Sequence, residues 1–332
     1  MRKTLRIAFV TLVTALAAGA QTYSVFSLQG SAQGQAPTDI VIHGGAIYGG
    51  TEFGGGAESG GAVYELAPPA GGLGWQDTVL LDMNPAIGRE AYITVAAPNG
   101  VIYGVTATGG TGNCTSPDTA NGCGTVFQMT PPGGTSSSWT VKVLYRFRGG
   151  TDGAYPTSLI MWSGLLSGAT SGGGGSAACP AGCGTIFYLS PPISGDVWSE
   201  TVVYAFQGAN DGAYPRLFAP SAGATVGALY GTSQNANSTP GGTVFEVYGL
   251  PQPTGWQWVE RTIYAFTGTG DGSFPGIGGG RPDPDILRHG ALRHDRFRRH
   301  SLAFLPLLRL WRGVRVDATA GLWRSLESDG DL

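Results

Sequence analysis

The sequence has few charged residues and almost no lysine. Only 12% of its 332 residues are Asp, Glu, Lys or Arg, and just two residues are Lys. Residues 21–276 are net acidic, whereas residues 277–332 carry ten of the Arg residues. An acidic body lacks the cationic surface that binds nucleic-acid phosphates, so we expect no nucleic-acid partner.

Histidine is also scarce, which leaves little room for catalytic triads. His43 is the only His before residue 277, so a Ser-His-Asp or Cys-His site would depend on it alone. The glycine run 172–175 lacks the Lys of a phosphate-binding loop and indicates a flexible loop. The sequence therefore predicts no catalytic residue. A glycoside hydrolase would need a pair of carboxylates close together in the fold.

Long apolar runs are missing beyond the N-terminus. Arg2 and Lys3 precede a short apolar run, residues 7–18, and Ala18-Gly19-Ala20 is a small-residue cleavage site. This order predicts a signal peptide over residues 1–20, with an uncleaved anchor as the alternative. No later run is long enough to cross a bilayer. We expect a secreted protein, extracellular or at the cell surface, without a transmembrane span after cleavage.

Glycine, in contrast, is abundant, with 57 residues spaced among Val, Tyr, Phe and Thr. A disordered chain would be poor in aromatic residues, but these make up 10% of the sequence. The composition therefore predicts many tight turns between short strands.

Residues 21–276 contain four copies of a unit of about 60 residues. A Gly-Thr-Val-Phe strand lies at residues 124–127 and 242–245, with Ile in place of Val at 184–187 and a weaker copy, Gly-Ala-Val-Tyr, at 61–64. Each copy is followed by a Pro-containing loop, a Trp and an alternating strand with Tyr-x-Phe in the later copies. An Asp-Gly-x-x-Pro turn comes next in the last three copies, and a strand typified by Tyr-Gly-x-Thr closes the unit.

Four short strands fit a unit of this length, and one such sheet cannot bury both of its faces alone. The sequence therefore predicts an all-β, propeller-like array of four-stranded sheets, with a β-solenoid as the alternative. The segment Tyr23-Ser24-Val25-Phe26-Ser27-Leu28 matches the Tyr-x-Phe strand without the Trp before it. We expect the array to begin within a unit and to be incomplete.

The combined order of these motifs over residues 23–276 resembles the bacterial GloVer tandem repeat of choice-of-anchor proteins. The resemblance implies an exported, surface-linked repeat protein and brings no known catalytic activity with it.

Three sets of residues could form sites. Two pairs of cysteines lie in equivalent loops, and they predict two local disulfides, with a zinc site as the alternative. They are Cys114, Cys123, Cys179 and Cys183. The aspartates of the repeated turn are predicted to accept hydrogen bonds from the turn's own backbone, with calcium binding as the alternative. They are Asp152, Asp211 and Asp271. The tryptophans, predicted to pack between sheets or to stack on sugars, are Trp75, Trp139, Trp198 and Trp256 or Trp258.

The repeat fails after Pro275, and residues 277–332 form an Arg-rich segment without alternation. Codons that encode residues 291–300 can, read one base later, encode Leu-Tyr-Gly-Thr-Thr-Asp-Phe-Gly-Gly-Thr, which restores the missing strand. Two later stretches behave likewise. We interpret residues 277–332 as a disordered, frameshifted tail, and a functional basic tail is the alternative.

These observations predict an exported, non-catalytic scaffold that binds or displays an extracellular polysaccharide or a surface protein. No cofactor is expected, and calcium at the repeated turns is the alternative. The alternative function is a polysaccharide-active lyase or glycosidase on a β-propeller.

Overall fold

The computed structural model describes residues 27–28, 32–68, 74–114, 122–133, 138–162, 164–208, 210–218, 228–234, 241–253, 255–268, 270–273 and 275. The predicted signal peptide (1–20) and the predicted tail (277–332) lie outside these residues. In the described part of the chain, no helix has the length and hydrophobicity of a membrane span.

The described residues form sixteen strands, arranged as four antiparallel sheets of four strands in chain order. The first sheet contains β1 (Gln35–His43), β2 (Ala46–Phe53), β3 (Ala62–Ala67) and β4 (Gln76–Asp82). The second contains β5 (Arg89–Ala96), β6 (Ile102–Thr108), β7 (Thr125–Thr130) and β8 (Thr140–Arg146). The third contains β9 (Gly153–Trp162), β10 (Leu165–Gly173), β11 (Thr185–Ser190) and β12 (Ser199–Ala205). The fourth contains β13 (Ala213–Phe218), β14 (Ala228–Gln234), β15 (Thr243–Gln252) and β16 (Gly255–Ala265).

This architecture confirms the predicted all-β array of four-stranded sheets, but the sheets are offset from the sequence units. The third sheet begins at the Gly of the Asp-Gly turn and the fourth directly after it, so the Tyr-Gly-x-Thr strand is the second strand of a sheet rather than its last. The Gly-Thr-Val-Phe strand is third and the strand that leads to Tyr-x-Phe is fourth. The sequence does not show where one sheet ends and the next begins, because the turns between sheets and the turns within sheets are equally rich in Gly and Pro. The predicted boundaries of the units are therefore offset from those of the sheets.

The first strands of the sheets lie side by side. β1 contacts β5, β5 contacts β9, and β9 contacts β13. Arg216 of β13 then forms an ion pair with Asp39 of β1. The four first strands therefore surround one axis, and the array curves back on itself as in a propeller.

One hydrophobic cluster fills each space between consecutive sheets. Phe147, at the end of β8, packs edge-on against Phe187 of β11, with ring centroids 5.1 Å apart. Phe206 packs in the same way against Phe245 of the fourth sheet, at 5.1 Å. All four rings are fully buried, and burying each contributes about 1.5–3 kcal/mol.

The glycine of the second strand is required by the aromatic ring of the third strand. A Cβ at Gly168 would lie 2.5 Å from Cζ of Phe187, and one at Gly104 would lie 2.7 Å from Cζ of Phe127. No side chain fits there without displacing the ring. The third sheet has lost the tyrosine of the motif but keeps this glycine, because the ring imposes it.

Buried hydroxyl pairs link the second and third strands of the later sheets. The Oγ1 atoms of Thr106 and Thr125 lie 3.0 Å apart, and those of Thr170 and Thr185 lie 2.8 Å apart. The fourth sheet uses Ser233 and Thr243, whose hydroxyl oxygens are 2.6 Å apart. These pairs explain why a Thr or Ser follows the Tyr-Gly pattern, since a buried hydroxyl needs a partner.

Each later sheet is joined to the one before it by a repeated backbone contact. The N–H of Tyr155 donates to the carbonyl of Cys123 at 2.8 Å, and the N–H of Tyr214 donates to that of Cys183 at 2.9 Å. Both tyrosines have φ near +55°, at 56° and 55°, which non-glycine residues rarely adopt. The prolines that follow them, Pro156 and Pro215, pack against the glycines of the preceding Gly-Thr-x-Phe strand.

Candidate functional site

The three repeated aspartates stand in the turns that lead out of the fourth strands. Oδ2 of Asp152 accepts hydrogen bonds from the N–H of Arg148 at 2.9 Å and from the hydroxyl of Tyr145 at 3.1 Å. Oδ2 of Asp211 accepts the equivalent bonds from Gln207 at 2.8 Å and from Tyr204 at 3.0 Å. These aspartates are engaged with their own turns.

The third turn repeats this pattern at the far end of the array. Asp271 accepts a hydrogen bond from the hydroxyl of Tyr264 at 2.8 Å and from the N–H of Thr267 at 3.1 Å. Hydrogen bonds from Thr267 lower the pKa of Asp271 to about 2. In the part of the chain that the structure describes, no three His, Cys, Asp or Glu side chains are grouped so as to hold a metal ion.

The cysteines form the two local disulfides Cys114–Cys123 and Cys179–Cys183. Cys123 and Cys183 are fully buried, and their carbonyls accept the hydrogen bonds that join each sheet to the next. Each disulfide therefore fixes a loop at a contact between sheets. Such bonds are typical of proteins in an oxidising, extracellular environment.

Four tryptophans occupy equivalent positions, six residues before the Tyr-x-Phe site of each fourth strand. They are Trp75, Trp139, Trp198 and Trp258. All four are half-buried, and Trp139 packs edge-on against Tyr48 of the first sheet at 5.9 Å. Trp198 packs against the cluster between the second and third sheets, and Trp258 contacts Trp162 at 6.2 Å. Three of these tryptophans thus pack against a neighbouring sheet.

Trp256 is an additional tryptophan outside this pattern. The hairpin of β15 and β16 is longer than the equivalent hairpins, and Trp256 lies in its extension. Its side chain is 67% exposed. The indole covers the backbone of Gly249, where a Cβ would lie 2.9 Å from Cε3 of the ring. Gly249 thus leaves room for the ring, which presents a large apolar surface to solvent.

An open groove of about 1240 Å³ lies between the third and fourth sheets, next to Trp256. Its aromatic lining comes from Trp162, Trp256, Trp258, Tyr188 and Tyr248. Hydroxyl groups of Ser190 and Thr201 line the same groove. Apolar faces beside a small number of polar groups are the usual lining of a ligand site.

One ion pair borders the groove. Arg261 lies 2.5 Å from Oε1 of Glu246, on neighbouring strands of the fourth sheet. Glu246 is almost buried, whereas the side chain of Arg261 is 65% exposed. The groove therefore combines aromatic faces, hydroxyl groups and a paired charge at its edge.

A further polar cluster surrounds Tyr92 of β5 and includes charged residues of β1, β2, β5 and β13. Burial raises the pKa of Tyr92, and the charges of Glu52, Glu90 and Asp39 raise it further, while Arg216 opposes them. Glu90 is buried and has φ of 60°. His43 lies at the end of β1. An enzymatic function in this part of the molecule would depend on these carboxylates.

The sequence does not predict Trp162 and Tyr188 as groove residues. Neither belongs to a repeated motif, so no periodic signal marked them. The sequence does mark Trp256, because the fourth unit has two tryptophans on the same face of one strand where the other units have one, but it does not distinguish the role of Trp256 from that of Trp258.

Comparison of the sequence with protein-family models gives no match, and comparison with curated proteins gives none. The fold is similar to the crystal structure of an α-L-arabinofuranosidase from Lactobacillus brevis. That similarity has a TM-score of 0.37 and 12% identity, and it covers 70% of this chain and 74% of the other. A likeness at this level is no basis for transferring the arabinofuranosidase activity to this chain.

Proposed function

We propose that this protein is an exported, non-catalytic repeat scaffold that binds an extracellular polysaccharide in the groove between its third and fourth sheets. The observation that carries the proposal is Trp256, an exposed indole added to a position where the repeat does not need one. Sugar rings have apolar faces that pack on aromatic rings and hydroxyl edges that take hydrogen bonds. The groove offers both kinds of surface.

Three further observations support export and display. The two disulfides are typical of an oxidising compartment. The N-terminal residues have the order of a signal peptide. The motif order resembles the GloVer repeat of exported surface proteins.

Binding to a panel of immobilised glycans, followed by calorimetry on those that bind, tests the ligand. Trp256→Ala removes the exposed ring and is expected to weaken binding about tenfold, or about 1.4 kcal/mol. Trp256→Phe keeps a ring and is expected to restore part of this loss. The matched control is Phe53→Ala, which removes a ring that is 46% exposed but lies outside the groove.

Equal affinity of Trp256→Ala and the unsubstituted protein for every bound glycan would overturn the groove as the binding site. If no glycan binds and a surface protein is captured instead through the same residues, the scaffold remains but the ligand class is wrong.

The alternative function is a polysaccharide-active enzyme, and the carboxylates around Tyr92 favour it. Release of reducing sugar from polysaccharides, abolished by Glu90→Gln or Asp39→Asn in a protein that still unfolds cooperatively, would establish catalysis. No release from the polysaccharides that bind the groove would support the non-catalytic scaffold.

A further inference from the structure

The second and third strands of each sheet place two side chains directly opposite each other at one repeated register position. In three sheets the second strand supplies a tyrosine and the third strand a carboxylate or an amide. These pairs are Tyr48 with Glu65, Tyr103 with Gln128, and Tyr230 with Glu246. In the third sheet the order is reversed, because Ser167 lies opposite Tyr188. The aromatic ring has therefore moved from the second strand to the third.

The usual order fills the space between two sheets with a tyrosine and a tryptophan. The hydroxyl of Tyr48 donates a 3.1 Å hydrogen bond to Oε1 of Glu65, and its ring packs edge-on against Trp139 of the second sheet. Tyr103 and Trp198 likewise pack against one cluster between the second and third sheets. In these two spaces the tyrosine is part of the contact between sheets.

The space between the third and fourth sheets is built differently. Ser167 is fully buried and carries no ring, and Trp258 contacts Trp162 instead. Trp162 lies at the tip of the β9–β10 hairpin, where the first sheet has His43. Because the first strands surround the axis and neighbouring strands are about 4.8 Å apart, Tyr188 lies one strand farther from the axis than the usual tyrosine. Both changes place half-buried aromatic rings in the lining of the groove.

The exchange also removes a carboxylate or an amide from this lining, since the other sheets have Glu or Gln where the third sheet has Tyr188. Among the described residues that line the groove, only Glu246 and Arg261 are charged, and they pair with each other. Residues 21–276 are net acidic, so a polyanion would approach against the field of the protein. The groove therefore favours an uncharged ligand.

We propose, on the basis of the function proposed for the groove, that Tyr188 determines its ligand class and selects a neutral polysaccharide. Sugar rings pack on Tyr188 and Trp162 as well as on Trp256. The hydroxyl of Tyr188 bonds with sugar hydroxyls, as do the hydroxyls of Ser190 and Thr201. A carboxylate at position 188 would be covered by an uncharged ligand without a cationic partner, which costs free energy.

Calorimetry with oligosaccharides tests this role of Tyr188. The neutral probes are oligomers of glucan, mannan and xylan, and oligogalacturonate is the anionic probe. The unsubstituted protein should bind at least one neutral oligomer, and oligogalacturonate about tenfold or more weakly than that oligomer. Tyr188→Gln introduces the side chain that the second sheet has in Gln128 and should weaken neutral binding about tenfold. Tyr188→Phe keeps the ring and should lose only about threefold.

The matched control is Tyr103→Gln, which removes a half-buried tyrosine of the second sheet outside the groove. This variant should lower the midpoint of thermal unfolding and leave the affinity for the neutral oligomer unchanged. If the role of Tyr188 is merely structural, Tyr188→Gln will give that same result.

Three outcomes contradict the role of Tyr188, and they differ in what they leave standing. If Tyr188→Gln binds the neutral oligomer as tightly as the unsubstituted protein while Trp256→Ala binds it weakly, the groove remains the binding site but Tyr188 does not select the ligand. If oligogalacturonate binds more tightly than every neutral oligomer, the ligand class is wrong. If no oligomer binds, the function proposed for the groove fails as well.

Discussion

The hydroxyl of Tyr204 donates a 3.0 Å hydrogen bond to Oδ2 of Asp211, seven residues later, and so closes the turn between the third and fourth sheets. Asp211 is 8% exposed. Burial, and then the charge of Asp211, raise the pKa of Tyr204. The same tyrosine–aspartate contact occurs at the turns after the second and fourth sheets, but only Asp211 is this deeply buried.

Tyr204→Phe should lower the free energy of unfolding by about 1.5–3 kcal/mol, because the buried carboxylate of Asp211 loses a donor. Tyr264→Phe makes the same chemical change at an exposed turn, where solvent can replace the hydroxyl, and should lower the free energy of unfolding by clearly less. Urea denaturation of both variants measures the difference. Equal losses would show that burial of the turn has no part in its strength.

Gly168→Ala should destabilise the protein by about 1–3 kcal/mol. The added Cβ would lie 2.5 Å from the ring of Phe187 and 2.5 Å from the carbonyl of Ser158, so the ring must move within a packed core. Gly133→Ala is the matched control, since nothing lies within 4 Å of its Cβ position. Thermal unfolding compares the two, and a control that destabilises as much as Gly168→Ala would contradict the steric explanation.

Removal of each disulfide should lower stability according to the length of its loop. The cysteines are separated by 9 residues in Cys114–Cys123 and by 4 in Cys179–Cys183. Paired Cys→Ser changes should therefore cost about 3 and about 2 kcal/mol. Amide exchange should also quicken at Tyr155 and Tyr214, whose N–H groups bind the carbonyls of Cys123 and Cys183. An unchanged melting temperature after reduction would refute this role.

Glu200→Gln should stabilise the protein at alkaline pH and have little effect at acid pH. Burial and then the charge of Asp152 raise the pKa of Glu200 from 4.5 to about 7, against the opposing charge of Arg148. Below pH 4.5 the carboxyl is protonated in the folded and unfolded chains alike. Between pH 4.5 and 7 only the unfolded chain ionises, so stability falls as pH rises and the loss is complete above pH 7.

The gain at pH 8 should be about 1–2 kcal/mol, since Glu200 is partly exposed and solvent screens its charge. Denaturation of both proteins at pH 4 and pH 8 measures it. A gain of the same size at pH 4 would assign the effect to packing instead of ionisation.

Much of the fold was predictable because the residues that form the contacts of one sheet recur at equivalent positions in the other repeat units. The positions of Gly168 and Thr170 recur in every sheet, and each answers a local requirement: space for a ring or a partner for a hydroxyl. The local disulfides followed from equivalent loops in the same way. Comparison of one repeat unit with the others therefore shows which residues the structure requires.

The groove was less predictable because it depends on departures from the repeat. Trp162 and Tyr188 meet Trp256 only after two sheets have packed, and no spacing along the chain encodes that meeting. The distinction between Trp256 and Trp258 required the length of the β15–β16 hairpin, which propensity and turn signals do not fix. The ion pair of Asp39 and Arg216 joins residues far apart in the chain and left no local pattern.

The turn contacts of Asp152, Asp211 and Asp271 have an evolutionary consequence. Because the boundaries on both sides of the third sheet use the same kinds of contact, recombination that duplicates or deletes one such unit creates no new type of contact. Such an array can therefore change its size in single-unit steps, and each new copy is free to diverge at its loops. The lengthened hairpin that carries Trp256 is an example of such divergence. The fourth unit keeps the contacts that join it to its neighbour and gains an exposed aromatic surface that the other units lack.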